Sequence, residues 1–135
     1  MLAKDIMTKN VVSIRSDTPI LKAIDLLLEK KISGLPVVDE QMSLVGVLSG
    51  KDLLNILFIK DIDINTPIER FMTQEVIKFD VNDSVIDIAD LFLKKFIRRV
   101  PIVENDKLVG IISRGDMLKV VVATILDMKD KNKGS

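Results

Sequence analysis

The chain has 135 residues, 47% of them hydrophobic, and a positive mean hydropathy, which excludes a mostly disordered polymer and fits one compact domain or two small ones. Its 20 basic residues balance 20 acidic ones, and it has no Trp or Tyr, so a basic nucleic-acid surface and base-stacking platforms are both poorly supplied. The absence of Cys and His removes disulfides, thiol chemistry and the usual transition-metal ligands.

Lys4 and Asp5 interrupt the start of the chain, so it does not read as a secretion signal. The longest apolar stretches, near Leu53–Ile59 and Met117–Leu126, are too short to span a bilayer. A soluble, cytoplasmic protein is expected. The first element is a short helical turn ending at Met7-Thr8, followed by a strand over Val11–Ile14. A helix comes next, capped by Thr18 with Pro19 at its first position. Ile20, Ile24, Leu27 and Leu28 share one face of it, continued by Ile32. Two strands, Leu35–Val38 and Leu44–Leu48, pair across a polar turn, with Pro36 near a strand start where its missing N–H does least harm. A closing helix is expected over Asp52–Ile59, then a short linker, Lys60–Asn65.

The same order then returns. Thr66, Pro67 and Glu69 offer a cap, a first-turn proline and a capping-box acid ahead of Met72-Thr73. A strand over Val76–Phe79 leads to a helix capped by Asp83, with Val85, Ala89, Phe92 and Leu93 on one face, continued by Phe96. Strands Val100–Val103 and Leu108–Ile112 and a closing helix Asp116–Met128 complete the copy, and the charged tail Lys129–Ser135 is expected to fray. The offset between copies is 65 at Met7/Met72 and Pro36/Pro101, and 64 at Gly46/Gly110, Ser49/Ser113 and Asp52/Asp116. One residue has therefore been lost in the second hairpin turn.

This internal repeat predicts an α+β fold of two β-α-β-β-α repeats, residues 1–64 and 65–135, the second ending in the charged tail. A unit of roughly 60 residues buries only about 60% of its unfolded surface, so the halves are expected to pack together about a pseudo-two-fold. The closing helices are apolar most of the way round. Part of that surface is expected to meet the other repeat and part a second chain, the alternative being a helix protected within one monomer.

The best-matched segments are Gly46-Val47-Leu48-Ser49-Gly50-Lys51-Asp52 and Gly110-Ile111-Ile112-Ser113-Arg114-Gly115-Asp116. In each, a strand ends, a Ser follows and a helix begins. Free N–H groups at a helix start attract anions, and a Ser hydroxyl there can donate to a phosphate oxygen. The Asp three residues on offers two acceptor oxygens, suited to the neighbouring 2′ and 3′ hydroxyls of a ribose. Ser-x-x-Asp at such a junction is equally an ordinary helix cap, and a duplicated fold duplicates its caps. Arg98-Arg99 stand where the first copy has Ser33-Gly34. Their guanidinium forks suit phosphate if the neighbourhood is mostly buried, and are plain surface charges otherwise. General-base catalysis would fall to carboxylates or lysines, and the acids Asp61 and Asp63 sit in the linker and read as solvated, so no enzyme is expected.

At Asp5-Ile6-Met7-Thr8, Leu35-Pro36-Val37-Val38-Asp39, Leu44-Val45-Gly46-Val47 and Ser49-x-x-Asp52, with their second-copy equivalents, the chain resembles a tandem cystathionine-β-synthase-type (CBS) domain pair, the Bateman module. The resemblance covers nearly the whole chain. It implies a regulatory, non-catalytic module that binds AMP, ADP or ATP in clefts between repeats; no catalytic cofactor is expected, and with His and Cys absent no metal site is expected beyond a weak one at Asp61 and Asp63. It implies that Ser49 and Ser113 contact phosphate, that Asp52 and Asp116 hold the ribose, and that Arg98 and Arg99 contact phosphate. It implies further that Ile14, Pro36 and Val37, with Phe79, Pro101 and Ile102, flank the adenine. Such modules pair into a flat disc of four repeats, implying a homodimer, and a separate effector protein would receive the signal. The alternatives are a sensor of another adenosine ligand such as S-adenosylmethionine, and a dimerising adaptor that needs no ligand.

Overall fold

The computed structural model describes residues 1–133 and is a mixed α+β fold with two three-stranded sheets. Its elements are α1 (Ala3–Ile6), β1 (Ile14–Arg15), α2 (Ile20–Lys30), β2 (Gly34–Val38), β3 (Leu44–Ser49), α3 (Gly50–Leu54), β4 (Phe79–Asp80), α4 (Val85–Lys94), β5 (Arg99–Glu104), β6 (Lys107–Ser113) and α5 (Arg114–Lys133). Short 3-10 turns cover Asn55–Phe58 and Ile68–Arg70.

The sheets run β1-β2-β3 and β4-β5-β6. β1 is parallel to β2, with Ile14 opposite Val37, and β2 is antiparallel to β3, with Gly34 opposite Ser49 and Pro36 opposite Val47. β4 is parallel to β5, with Phe79 opposite Ile102. Both opening strands are shorter than expected and start later, because only two residues of each find ladder partners.

The lost residue is where the offset places it. In the first hairpin the Asp39 carboxylate accepts from the amides of Gln41 and Ser43, both at 2.9 Å, and Met42 takes a left-handed conformation. In the second, Asn105 and Asp106 both have positive φ, the geometry of a tight two-residue hairpin turn.

The helix starts differ from the sequence reading. Pro19, not Thr18, is the cap residue of α2: its ψ of 142° is extended, and its carbonyl already accepts from the Ala23 amide at 3.1 Å. Ser84, not Asp83, caps α4 through its hydroxyl, which accepts from the Ile86 amide, while the Asp83 carboxylate accepts from the Asp80 amide in the preceding turn. Thr66 makes no side-chain cap, since the turn that follows is only the three residues of a 3-10 helix. The buried faces are also rotated from the expected ones. Ile20, Ala23 and Leu27 face the core on α2, and Val85 and Ile88 on α4. Leu28, Leu93 and Phe96 are exposed. The first closing helix is only α3 and one 3-10 turn, whereas α5 continues helical through Lys133, well into the segment expected to fray. Gly134 and Ser135 lie outside the described residues.

The chain forms two compact units that interleave in sequence. The first-repeat unit comprises Val12–Ile77 with Asn105–Leu108, and the second-repeat unit comprises Met1–Val11, Lys78–Glu104 and the chain from Val109 onward. Each opening segment thus packs with the sheet of the other repeat. In the second-repeat unit the Ala3 amide donates to the Asp83 carbonyl, and Thr8 exchanges two backbone hydrogen bonds with Ile111, of 2.9 and 3.0 Å. In the first-repeat unit the Ile68 amide donates to the Thr18 carbonyl, and Thr73 exchanges two with Val47, both 2.9 Å. The packing units cross the boundary expected between repeats 1–64 and 65–135.

Each unit has its own core. Ile14, Leu27, Leu35, Val37, Leu48 and Ile68 are among the buried side chains of the first, and Ala3, Ile88, Val100, Ile102 and Ile112 among those of the second. Gly46 is needed where the opening segment crosses β3. A Cβ there would lie 2.8 Å from the Met72 sulfur and 2.9 Å from the Thr73 carbonyl oxygen, closer than real contacts allow.

Candidate ligand site

Alternation along the strands divides each sheet into a core face and an outer face. In the first-repeat unit Leu35, Val37 and Leu48 belong to the core cluster, as does Ile14 opposite Val37. Gly34, Pro36, Val47 and Ser49 therefore share the other face, together with Thr73, which pairs with Val47. In the second-repeat unit Val100, Ile102 and Ile112 face the core, leaving Arg99, Pro101 and Ser113 on the outer face. The structure thus brings Pro36 to the face of Ser49 and Pro101 to the face of Ser113. It does not bring Ile14, Val37 or Ile102 there: they are core residues, and Phe79, opposite Ile102, packs against the core as well.

Ser-x-x-Asp forms a helix cap in both copies. The Ser49 hydroxyl accepts from the Asp52 amide at 3.1 Å, and the Asp52 carboxylate accepts from the Ser49 amide at 2.9 Å. The Ser113 hydroxyl accepts from the Asp116 amide at 3.2 Å, and the Asp116 carboxylate accepts from the Ser113 amide at 2.8 Å. The capping reading is therefore realised, and it fixes each carboxylate at the rim of its strand–helix junction without using up its acceptor capacity. A carboxylate has about four lone-pair sites, and each cap amide takes one.

The two acids are otherwise held differently. Asp52 is half-buried, and the Thr73 hydroxyl donates to it, at 3.2 Å to Oδ1 and 3.4 Å to Oδ2. Asp116 is 8% exposed. Its Oδ2 also accepts from the Ser113 hydroxyl at 3.1 Å, and Lys119 Nζ lies 3.8 Å from Oδ1. Thr73 is the site residue that sequence reasoning missed. Its signal was the repeated Met-Thr pair, which served to align the copies, but nothing in the spacing placed Thr73 beside Asp52.

Arg98 and Arg99 lie at the same junction as Ser113. The Arg114 amide donates to the Arg98 carbonyl at 3.2 Å, as the Gly50 amide donates to Ser33 at 2.9 Å in the first copy. Both arginines are exposed rather than set in a buried neighbourhood, and among the described residues neither has an ion-pair partner. The helices differ too. α5 has 20 residues and a developed dipole, whereas the five residues of α3 offer little. Positive charge and helix dipole thus coincide at Ser113 and not at Ser49. Among the described residues no cluster of acids forms a metal site, and no helix is long and apolar enough to cross a membrane.

The CBS domain family model matches this chain twice, over residues 3–59 and 68–123. The chain is 36% identical over 115 residues to inosine-5′-monophosphate dehydrogenase of Aquifex aeolicus, covering 84% of this chain. It spans only 23% and 42% of the length of two of the curated relatives it matches. Among solved structures it is similar to CBSX2 of Arabidopsis thaliana in complex with AMP, with a TM-score of 0.77, 31% identity, and coverage of 91% of this chain and 97% of that one. It is also similar to the CBS domain pair of MJ0100 in complex with 5′-methylthioadenosine and S-adenosyl-L-methionine, with a TM-score of 0.72, 30% identity, and coverage of 92% and 98%.

Proposed function

The chain belongs to the CBS domain family, and from that premise we propose that it is a regulatory, ligand-sensing and non-catalytic module that binds adenine nucleotides. The observation that carries this reading is the pair of capped carboxylates, Asp52 and Asp116, each held at a strand–helix junction with lone pairs left over for a vicinal diol. A ribose offers that diol. The solved relatives with AMP, 5′-methylthioadenosine and S-adenosyl-L-methionine share the adenosine moiety. Pro36 and Pro101 share the sheet faces of Ser49 and Ser113 and are the apolar residues assigned to the base, which would have to reach side chains that are buried in this structure.

The phosphates go to the second-repeat junction, where Arg98, Arg99 and the start of α5 supply positive charge. The double variant Arg98→Ala/Arg99→Ala is expected to weaken ATP and ADP roughly tenfold or more, since hydrogen bonds to charged groups contribute about 1.5 to 3 kcal/mol each. Adenosine should change less than about twofold. Calorimetric titration of the parent and the double variant with ATP, ADP and adenosine measures this. Equal losses for ATP and adenosine would remove the arginines from the phosphate site. Tighter binding of S-adenosylmethionine than of any nucleotide would move the reading to a cationic adenosine ligand. No binding of any adenosine compound at millimolar concentration would leave a ligand-independent adaptor.

We also assign the exposed apolar surface of α5 to a second copy of the chain. Leu118, Val122 and Ile125 are each more than half exposed on a helix that a lone protomer would leave wet. Val122→Asp is expected to convert a dimer to a monomer in light scattering coupled to gel filtration, and an unchanged mass would refute the assignment. The module would signal to a separate effector protein, and the absence of Cys suits the cytoplasm.

A further inference from the structure

Resting on that reading of the site, we infer that Thr73 is a positioning residue for the ribose acceptor of the first-repeat unit. Thr73 lies 21 residues from Asp52 in the chain and reaches it only because the opening segment of the second repeat packs on β3. Its backbone is fixed by the two 2.9 Å hydrogen bonds with Val47, and Met72 beside it is seated against Gly46. A β-branched side chain on so fixed a backbone has few rotamers, so the hydroxyl is held against Asp52 rather than visiting it.

The consequence is an exchange of hydroxyl duties between the two copies. In the second-repeat unit the Ser113 hydroxyl both caps the helix and donates its proton to Asp116 Oδ2. That oxygen, which also takes the Ser113 amide, has both lone pairs engaged, so the free acceptor sites gather on Oδ1. In the first-repeat unit Thr73 does the holding, mainly through Oδ1, while the Ser49 amide binds Oδ2. The Thr73 proton is shared unequally, 3.2 Å to Oδ1 and 3.4 Å to Oδ2, so acceptor capacity is left on both oxygens for two neighbouring hydroxyls, and among the described residues the Ser49 hydroxyl donates to no acceptor. Thr8 occupies the equivalent backbone position on β6, yet among the described residues its hydroxyl has no hydrogen bond. The Met-Thr pair is thus shared by both copies, and its use at the acid belongs to one.

The test compares Thr73→Val, Thr73→Ser and Thr8→Val in an Asp116→Asn background, so that calorimetric heats report the Asp52 site. The probes are adenosine, 2′-deoxyadenosine and 3′-deoxyadenosine. Thr73→Val should lower adenosine affinity about three- to tenfold, the range expected for the net worth of one ordinary hydrogen bond, since Thr73 acts through Asp52 and does not itself bind the ligand. It should also shrink the preference for adenosine over both deoxy probes. Thr73→Ser should restore affinity and preference, and Thr8→Val should leave them unchanged. Thr73 is exposed and Val fits the same extended backbone, so each variant should melt like its parent. Unchanged affinity and preference in Thr73→Val, or failure of Thr73→Ser to restore them, would overturn the inference alone. Absence of adenosine binding by the unmodified chain would overturn the nucleotide reading and this inference with it.

Discussion

Asp116→Asn is expected to weaken AMP at the second-repeat site roughly 10- to 100-fold while lowering the melting temperature by only a degree or two. The asymmetry follows from what each state asks of the side chain. The fold asks Asp116 for one acceptor facing the Ser113 amide, 2.8 Å away, and an asparagine carbonyl oxygen supplies it. A ribose diol asks for further acceptor sites and for negative charge, and losing charge-assisted hydrogen bonds is worth about 1.5 to 3 kcal/mol. Asp116→Ala removes both, so it should lose binding and also about 1 kcal/mol of stability with the cap. Parallel calorimetry and thermal melts on the two variants separate the roles. If Asn bound AMP as well as Asp does, the acid would be a cap and nothing more.

Leu48→Ala should cost about 2 to 5 kcal/mol, the range for emptying a fully buried leucine site. That is a large share of a typical stability of about 5 to 15 kcal/mol. Leu48 is 0% exposed and packs in the cluster that includes Ile14, Leu27, Leu35 and Val37. It also lies on β3 between Val47, which holds Thr73, and Ser49, which caps α3. A cavity beneath it should loosen the acceptor geometry at Asp52 as well as the core. Urea unfolding gives the stability change, with the exposed Ile86→Ala as reference, expected within about 0.5 kcal/mol of the parent. A loss below about 1 kcal/mol for Leu48→Ala would contradict the burial of β3.

Most of the architecture was legible because it rests on local rules. Alternating strands, proline near strand starts and the 65-to-64 offset gave two similar sheets and located the shortened turn at Asn105-Asp106. Ser-x-x-Asp was legible as a cap, and the cap leaves each carboxylate acceptor sites for the proposed diol. Errors came where one residue decides a phase. Placing the caps at Thr18 and Asp83 missed Pro19 and Ser84, and the apolar faces chosen on those helices included Leu28, Leu93 and Phe96, which are exposed. The residues that the resemblance sets beside adenine fall on both faces of the sheets. Pro36 and Pro101 lie on the outer faces, whereas Ile14, Val37, Phe79 and Ile102 lie toward the cores, because neighbouring strand residues point to opposite sides.

The amino-acid sequence by itself determined the duplication, the strand–helix junction carrying an acid in each copy, and the excess of arginine in the second, since all three are properties of residue type and spacing. Only the tertiary structure decided which opening segment serves which sheet. Met7-Thr8 and Met72-Thr73 are nearly interchangeable as strings, and backbone pairing carries no label for the strand it joins. Packing sends the first to β6 and the second to β3, and that exchange sets a threonine hydroxyl against Asp52 while Asp116 is held by its own serine.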